Sequence, residues 1–165
     1  RKLELFSLAH RVTEERPGDA ISWMVVAYYY LAIRKYDMAR RYFQRATSMN
    51  NRLVSAWIGY GHCFASQDES DQAMAAYRTA SRLFPGSHLP LIYIGMEFGR
   101  QMSFAHARTR FQLANELCGG DDGIALHQLG VIEYQQGNFS TARDLMVSAK
   151  LSNHKKQLSL EPSSA

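Results

Sequence analysis

Cysteine, proline and long apolar runs are scarce in this 165-residue sequence, and each scarcity excludes something. Two cysteines, Cys63 and Cys118, give no disulfide framework and suit a reducing compartment. No apolar run approaches the roughly 18 residues of a membrane span, and no secretory signal opens the chain. Strand-like alternation is absent. Gly119, Gly120 and Gly123 stand near Asp121 and Asp122, but no lysine follows and no strand precedes them. They are expected to form an inter-helix turn rather than a phosphate loop.

Catalytic chemistry is also hard to find. The six histidines show no metal-ligand spacing on one helix face, so neither a metal nor a cofactor is expected. Cys63 adjoins His62, yet neighbouring helical side chains diverge by about 100°, and Cys63 falls at an inward position. A buried, inert thiol is the expected outcome. The pairs Glu14–Glu15, Asp68–Glu69 and Asp121–Asp122 fall at helix ends or turns, where acids solvate and cap. No enzyme activity is expected. Net charge is +4, much of it from Arg34, Lys35, Arg40, Arg41, Arg45 and Arg52. Arg40, Arg41 and Arg45 fall on the outward side of a helix, which reads as a solvated face rather than a nucleic-acid patch. Tyr42 and Phe43 beside them are assigned to the core.

What the sequence does contain is a period. Trp23 and Trp57 lie 34 residues apart. With Ala20 as position one, Ala27 takes position eight, Ala39 position twenty, Phe43 position twenty-four and Ala46 position twenty-seven. The same register gives Gly61, Ala73, Tyr77 and Ala80, then Leu91, Gly95, Ala107, Phe111 and Ala114. A fourth unit follows one residue late, through Gly130, Gly137, Phe139, Ala142 and Ala149. Small residues at positions eight and twenty let paired helices approach, and large ones at four and twenty-four fill the space between. Pro17 and Pro85 mark breaks between units, and Asn51 and the Gly119–Gly120 pair do so elsewhere. A period of this length is the signature of the tetratricopeptide repeat, a helix–turn–helix unit stabilised by stacking.

The expected fold is therefore all-α, a right-handed superhelix of antiparallel helix pairs. Helices are predicted near 2–15, 20–33, 36–49, 54–67, 70–83, 88–101, 104–117, 123–136 and 139–150. They form one domain over 1–150: a half repeat, 1–19, then repeats 20–53, 54–87, 88–121 and 123–150. Residues 151–165 lose the pattern and are expected to be a disordered tail. The chain starts within a predicted helix, which suggests an excerpt of a longer protein.

The likeness to tetratricopeptide repeats also suggests where a ligand lies. In such stacks, positions two, five, nine, twelve and thirteen of each first helix line a concave wall. Mapped here they give Met24, Tyr28 and Leu31; Ile58, His62 and Ser66; Ile92, Met96 and Arg100; and His127, Val131, Tyr134 and Gln135. This wall is apolar and aromatic with a few polar heads, a composition suited to a peptide. Neighbouring units also bury part of this face, so a core role competes for some of these side chains. Chaperone-tail binders carry a lysine/asparagine clamp where this chain has Met24, Tyr28, Ile58 and His62. Sugar-transferase arrays carry an asparagine ladder where it has Val25, Gly59, Tyr93 and Gln128. Both subclasses are disfavoured.

Residues between the consensus positions narrow the family. Ala56-Trp57-Ile58-Gly59-Tyr60-Gly61-His62-Cys63-Phe64-Ala65 is followed by Asp71-Gln72-Ala73-Met74-Ala75-Ala76-Tyr77-Arg78-Thr79-Ala80. Gly86-Ser87-His88-Leu89-Pro90 and Tyr93-Ile94-Gly95-Met96-Glu97-Phe98-Gly99 come next. These stretches resemble the cell-division-cycle-sixteen subunit, or subunit six, of the anaphase-promoting complex. Ser22-Trp23, Tyr28-Tyr29-Tyr30-Leu31, Gly130-Val131 and Gln136-Gly137 extend the likeness over about residues 17–146.

The resemblance implies a non-catalytic scaffold of a ubiquitin ligase acting in cell division, in nucleus and cytoplasm. It implies two kinds of protein partner, neighbouring tetratricopeptide subunits and a small accessory subunit. The accessory subunit's methionine-led N-terminal peptide would lie extended in the groove. Family members homodimerise through N-terminal repeats, whereas this segment resembles the C-terminal half and is expected to be monomeric. Membrane binding is not expected. Two alternatives remain: another tetratricopeptide adaptor, of a different ligase subunit or a transport or chaperone cofactor, and a nucleic-acid-binding helical repeat. The second would lose affinity steeply with salt.

Overall fold

The structure, a computed structural model, describes residues 2–160. Among these residues the chain forms α1 (Lys2–Glu15), α2 (Ala20–Ala32), α3 (Tyr36–Met49), α4 (Val54–Ala65), α5 (Ser70–Leu83), α6 (Leu89–Arg100), α7 (Phe104–Leu117), α8 (Gly123–Gln135) and α9 (Phe139–Leu160). No strand occurs among them. No described helix is long and apolar enough to cross a membrane. The helices gather into two compact units, Arg1–Phe84 and Pro85–Ala165, where the sequence suggests one continuous core.

In the first unit α2 pairs with α3 and α4 with α5, while α1 packs on α2 and α3 on α4. Ala27, Ala39, Phe43, Ala46, Ala56 and Cys63 form its buried cluster. The repeat consensus has a direct steric cause here. A Cβ at Gly61, position eight, would stand 2.7 Å from Cδ1 of Tyr77, position twenty-four of the same repeat. Tyr77 is fully buried, so the ring has nowhere to retreat. Both tryptophans donate Nε1–H to a carbonyl six residues upstream, Trp23 to Pro17 and Trp57 to Asn51, each at 3.0 Å. Position four thus carries a large ring that also ties its helix to the preceding break.

In the second unit α6 pairs with α7 and α8 with α9, and α7 packs on α8. Leu91, Ile92, Ala107, Phe111, Ala114, Ala125, Leu129 and Ile132 form the core. Gly95 repeats the role of Gly61, since a Cβ there would lie 2.5 Å from Cε1 of Phe111.

One further periodicity appears only in the backbone. Arg34, Asp68 and Met102, at repeat position fifteen, all adopt left-handed φ values of 61°, 60° and 57°. Gly137 holds the matching place in the fourth unit with φ 83°. Each ends its first helix in a Schellman motif, in which the next residue's N–H reaches back five residues: Lys35 to Tyr30, Glu69 to Phe64, Ser103 to Phe98 and Asn138 to Glu133. A side chain in this conformation costs about 1–2 kcal/mol, offset in part by the entropy a glycine would lose. Met102 is 68% exposed and contributes little packing. Met102→Gly should therefore raise stability by about 0.5–1 kcal/mol. Urea unfolding measures it, and a loss of stability would refute the strain assigned to that turn.

The last helix corrects the sequence reading. A stop at residue 150 and a disordered tail over 151–165 were the expectation, but α9 continues to Leu160. Ala149 and Ser152 are buried on one helix face, three residues apart. Ser152 Oγ donates to the carbonyl of Asp121 at 2.8 Å. Asn153 lies over Gly123, where any Cβ would meet its side chain. These contacts hold the helix against the start of α8. Residues 161–165 lie outside the described residues.

Candidate peptide-binding walls

First helices of adjacent repeats touch within each unit, α2 with α4 and α6 with α8. This brings positions five and nine of neighbouring repeats onto one wall per unit. On the first wall Met24 and Tyr28 are half-buried and rest on the Phe43 cluster. Tyr28 Oη donates to the carbonyl of Ser55 at 2.7 Å, and its ring meets Phe43 edge-on at 5.0 Å. Tyr28 thereby clips α2 to the start of α4 while keeping an exposed edge. Ile58 differs from expectation. It is only 6% exposed, so it belongs to the core and offers no open anchor.

His62 is half-buried, and its Nδ1 shares a 2.8 Å hydrogen bond with Tyr77 Oη. Burial lowers its pKa below the ordinary value of 6.5. The folded state therefore holds the neutral imidazole, and the unfolded chain takes up the proton more readily. The stability this contributes is complete above about pH 6.5 and is lost as pH falls below it. Wild type should lose more stability than His62→Gln between about pH 7 and pH 5, read from urea midpoints. Equal losses would overturn this assignment. Cys63 is fully buried, and burial pushes its thiol up to about 12, which agrees with an inert core thiol.

On the second wall Ile92 is 1% exposed and is likewise core rather than anchor. Met96 is half-buried against that core, and Val131, at the same position of the next repeat, is half-buried too. His127 and Gln135 are exposed. Tyr134 is 60% exposed, with its ring edge-on to Phe139 at 5.3 Å. Arg100 lies 3.3 Å from Glu97, whose carboxylate is buried on α6. Glu97 is a buried acid that sequence reasoning missed, because its position carries no charge signature in the repeat. The open part of the second wall is thus Met96, Arg100, His127, Val131, Tyr134 and Gln135. Ile58 and Ile92 are buried rather than open, in a setting where first helices of adjacent repeats touch, α2 with α4 and α6 with α8.

The arginine-rich helix α3 also departs from a plain solvated face. Arg40 pairs with Asp37 at 2.5 Å and Glu69 at 3.1 Å and covers the ring of Phe64. The hydrogen bond from Arg40, followed by one from Gln67, holds the carboxyl of Asp37 below its ordinary pKa. Arg45 sits 3.6 Å over the Trp23 ring, which stacks on Tyr42. Arg41 stays exposed. Tyr42 and Phe43 serve packing, as expected.

A family model described as tetratricopeptide repeat matches residues 26–88. The chain is 45% identical over 139 residues to anaphase-promoting complex subunit 6 of Arabidopsis thaliana, covering 84% of this chain and 25% of that protein. It is 40% identical over 147 residues to the cell division cycle protein 16 homolog of Homo sapiens, covering 88% and 24%. A solved structure of the APC/C hetero-tetramer Cut9–Hcn1 superposes with TM-score 0.86 at 34% identity, over 94% of this chain and 30% of that one. MamA matches at TM-score 0.71 and 15% identity, over 90% and 86%, which speaks to the fold alone. The chain spans about a quarter of the length of the curated relatives it matches.

Proposed function

Because the chain belongs to the subunit-six family of the anaphase-promoting complex, a tetratricopeptide-repeat family, we propose that it is a non-catalytic scaffold segment that holds a partner subunit's peptide. The observation that carries this reading is the pair of first-helix walls. Both carry half-buried apolar or aromatic side chains, Met24 and Tyr28 on the first and Met96 and Val131 on the second, and the second adds the exposed ring of Tyr134. Extended peptides bind such surfaces through side-chain pockets and scattered hydrogen bonds. The occupant is the N-terminal peptide of a small accessory subunit, apolar at its leading residues, since neither wall offers a cluster of cations for a carboxylate.

The scaffold role places the protein in nucleus and cytoplasm, supporting ubiquitination during cell division alongside neighbouring tetratricopeptide subunits. This segment by itself is monomeric in dilute solution. Mass spectrometry of proteins co-purifying with the full-length chain tests the reading. Recovery of anaphase-promoting complex subunits is expected; recovery of chaperones or transport factors with no ligase subunit would overturn it.

A further inference from the structure

Three ligand-type side chains from separate turns converge in the second unit. His88 precedes α6, Cys118 ends α7 and Asp122 caps the start of α8. One donor atom from each lies within 4.8 Å of the other two. His88 Nε2 is 3.6 Å from Asp122 Oδ2, too far for a hydrogen bond.

Asp122 is 1% exposed, and its two oxygens have different fates. One, Oδ1, accepts the N–H of Ile124 at 3.0 Å and caps the helix. The other, Oδ2, is buried and has no hydrogen-bond partner. Burying a carboxylate oxygen in this way is costly unless a cation or donor meets it. Helix capping accounts for the presence of an acid but leaves the second oxygen unexplained.

We propose that His88, Cys118 and Asp122 form a binding site for a borderline divalent cation of the zinc class. Imidazole, thiolate and carboxylate are the usual zinc donors, with bonds of about 2.0–2.3 Å. A tetrahedral ion would hold such donors about 3.3–3.7 Å apart, so the three side chains draw in by about 1 Å. As the sulfur–metal bond forms, the thiol proton leaves to solvent. Thiolate and carboxylate together then balance the charge of the ion. Solvent takes the fourth position. Magnesium and calcium, which demand all-oxygen shells, are excluded by the sulfur and nitrogen donors. The ion ties the entry of α6 to the turn between α7 and α8, joining two consecutive helix pairs at one end of the unit. The histidines carried no metal spacing in the sequence because the ligands lie on three different turns.

Cobalt(II) and zinc titrations of the purified protein test the site, with Cys63 as an internal control because it is fully buried. Wild type should bind one ion per chain, and the cobalt form should show the thiolate charge-transfer absorption. Cys63→Ser should retain both. Cys118→Ser should lose the absorption and weaken zinc binding about 100-fold or more, beyond the 10–100-fold typical of an outer-shell loss. His88→Gln should weaken zinc binding to a similar extent without disturbing the cap at Asp122. Zinc should raise the melting temperature of wild type and leave that of Cys118→Ser unchanged. Zinc affinity unaltered in both variants, or no saturable binding by wild type at micromolar zinc, would overturn the site and leave a simple His88–Asp122 ion pair.

Discussion

Truncating Phe111 to alanine should lower the unfolding free energy by about 3–5 kcal/mol. The ring is 1% exposed and lies at the centre of the second unit's core, against Leu91, Ala107 and Leu129 among others. It also fills the space that Gly95 leaves open. Gly95→Ala in the wild-type background should cost about 1–3 kcal/mol, because the new methyl would overlap that ring. The two changes must couple. With Phe111 already truncated, the Gly95 methyl enters the vacated volume and its cost should fall to near zero. Additive losses in this double-mutant cycle would show that the ring and the glycine do not share one space. The same logic applies to Gly61 and Tyr77 in the first unit.

Such pairs explain why the fold was legible. Residue size at positions eight and twenty-four is dictated by one contact, repeated every 34 residues, so a single sequence displays the constraint several times. Among the described residues, eight of nine helices follow the predicted ranges to within two residues at either end. The ninth does not, because its last turns are held by Ser152 and Asn153 against α8, contacts with no counterpart in earlier repeats. Position fifteen was silent for a related reason. Arginine, aspartate and methionine share no chemistry, only a left-handed backbone.

The site was less legible than the fold. Repeat positions find the first-helix face, but not how deeply a neighbouring helix covers it. Ile58 and Ile92 share position five with Met24 and His127, yet the first two are buried and the last is exposed. Likewise Arg40 and Arg45 look like free surface cations in the sequence. Their partners come from elsewhere in the fold, Glu69 from the residue before α5 and Trp23 from α2. The cluster of His88, Cys118 and Asp122 is wholly a product of tertiary structure.

The second large effect concerns the walls. Met96→Glu should weaken binding of the accessory-subunit peptide by about 2 kcal/mol or more, close to 30-fold in Kd. A carboxylate there replaces a flexible apolar contact with a charge that must stay hydrated. Tyr134→Ala should also weaken binding, through loss of an exposed aromatic anchor. Ile58→Glu is a different experiment, since it inserts a charge into the core and should reduce stability first. Arg41→Ala, on the exposed side of α3, should leave affinity unchanged. The most direct measurement is a calorimetric titration of the synthetic accessory-subunit N-terminal peptide into wild type, Met96→Glu, Tyr134→Ala and Arg41→Ala, with helicity checked by circular dichroism. Wild-type affinity for Arg41→Ala and a loss of about 30-fold for Met96→Glu, with helicity retained, is the expected result. Equal affinity across all four proteins would contradict peptide binding by the walls.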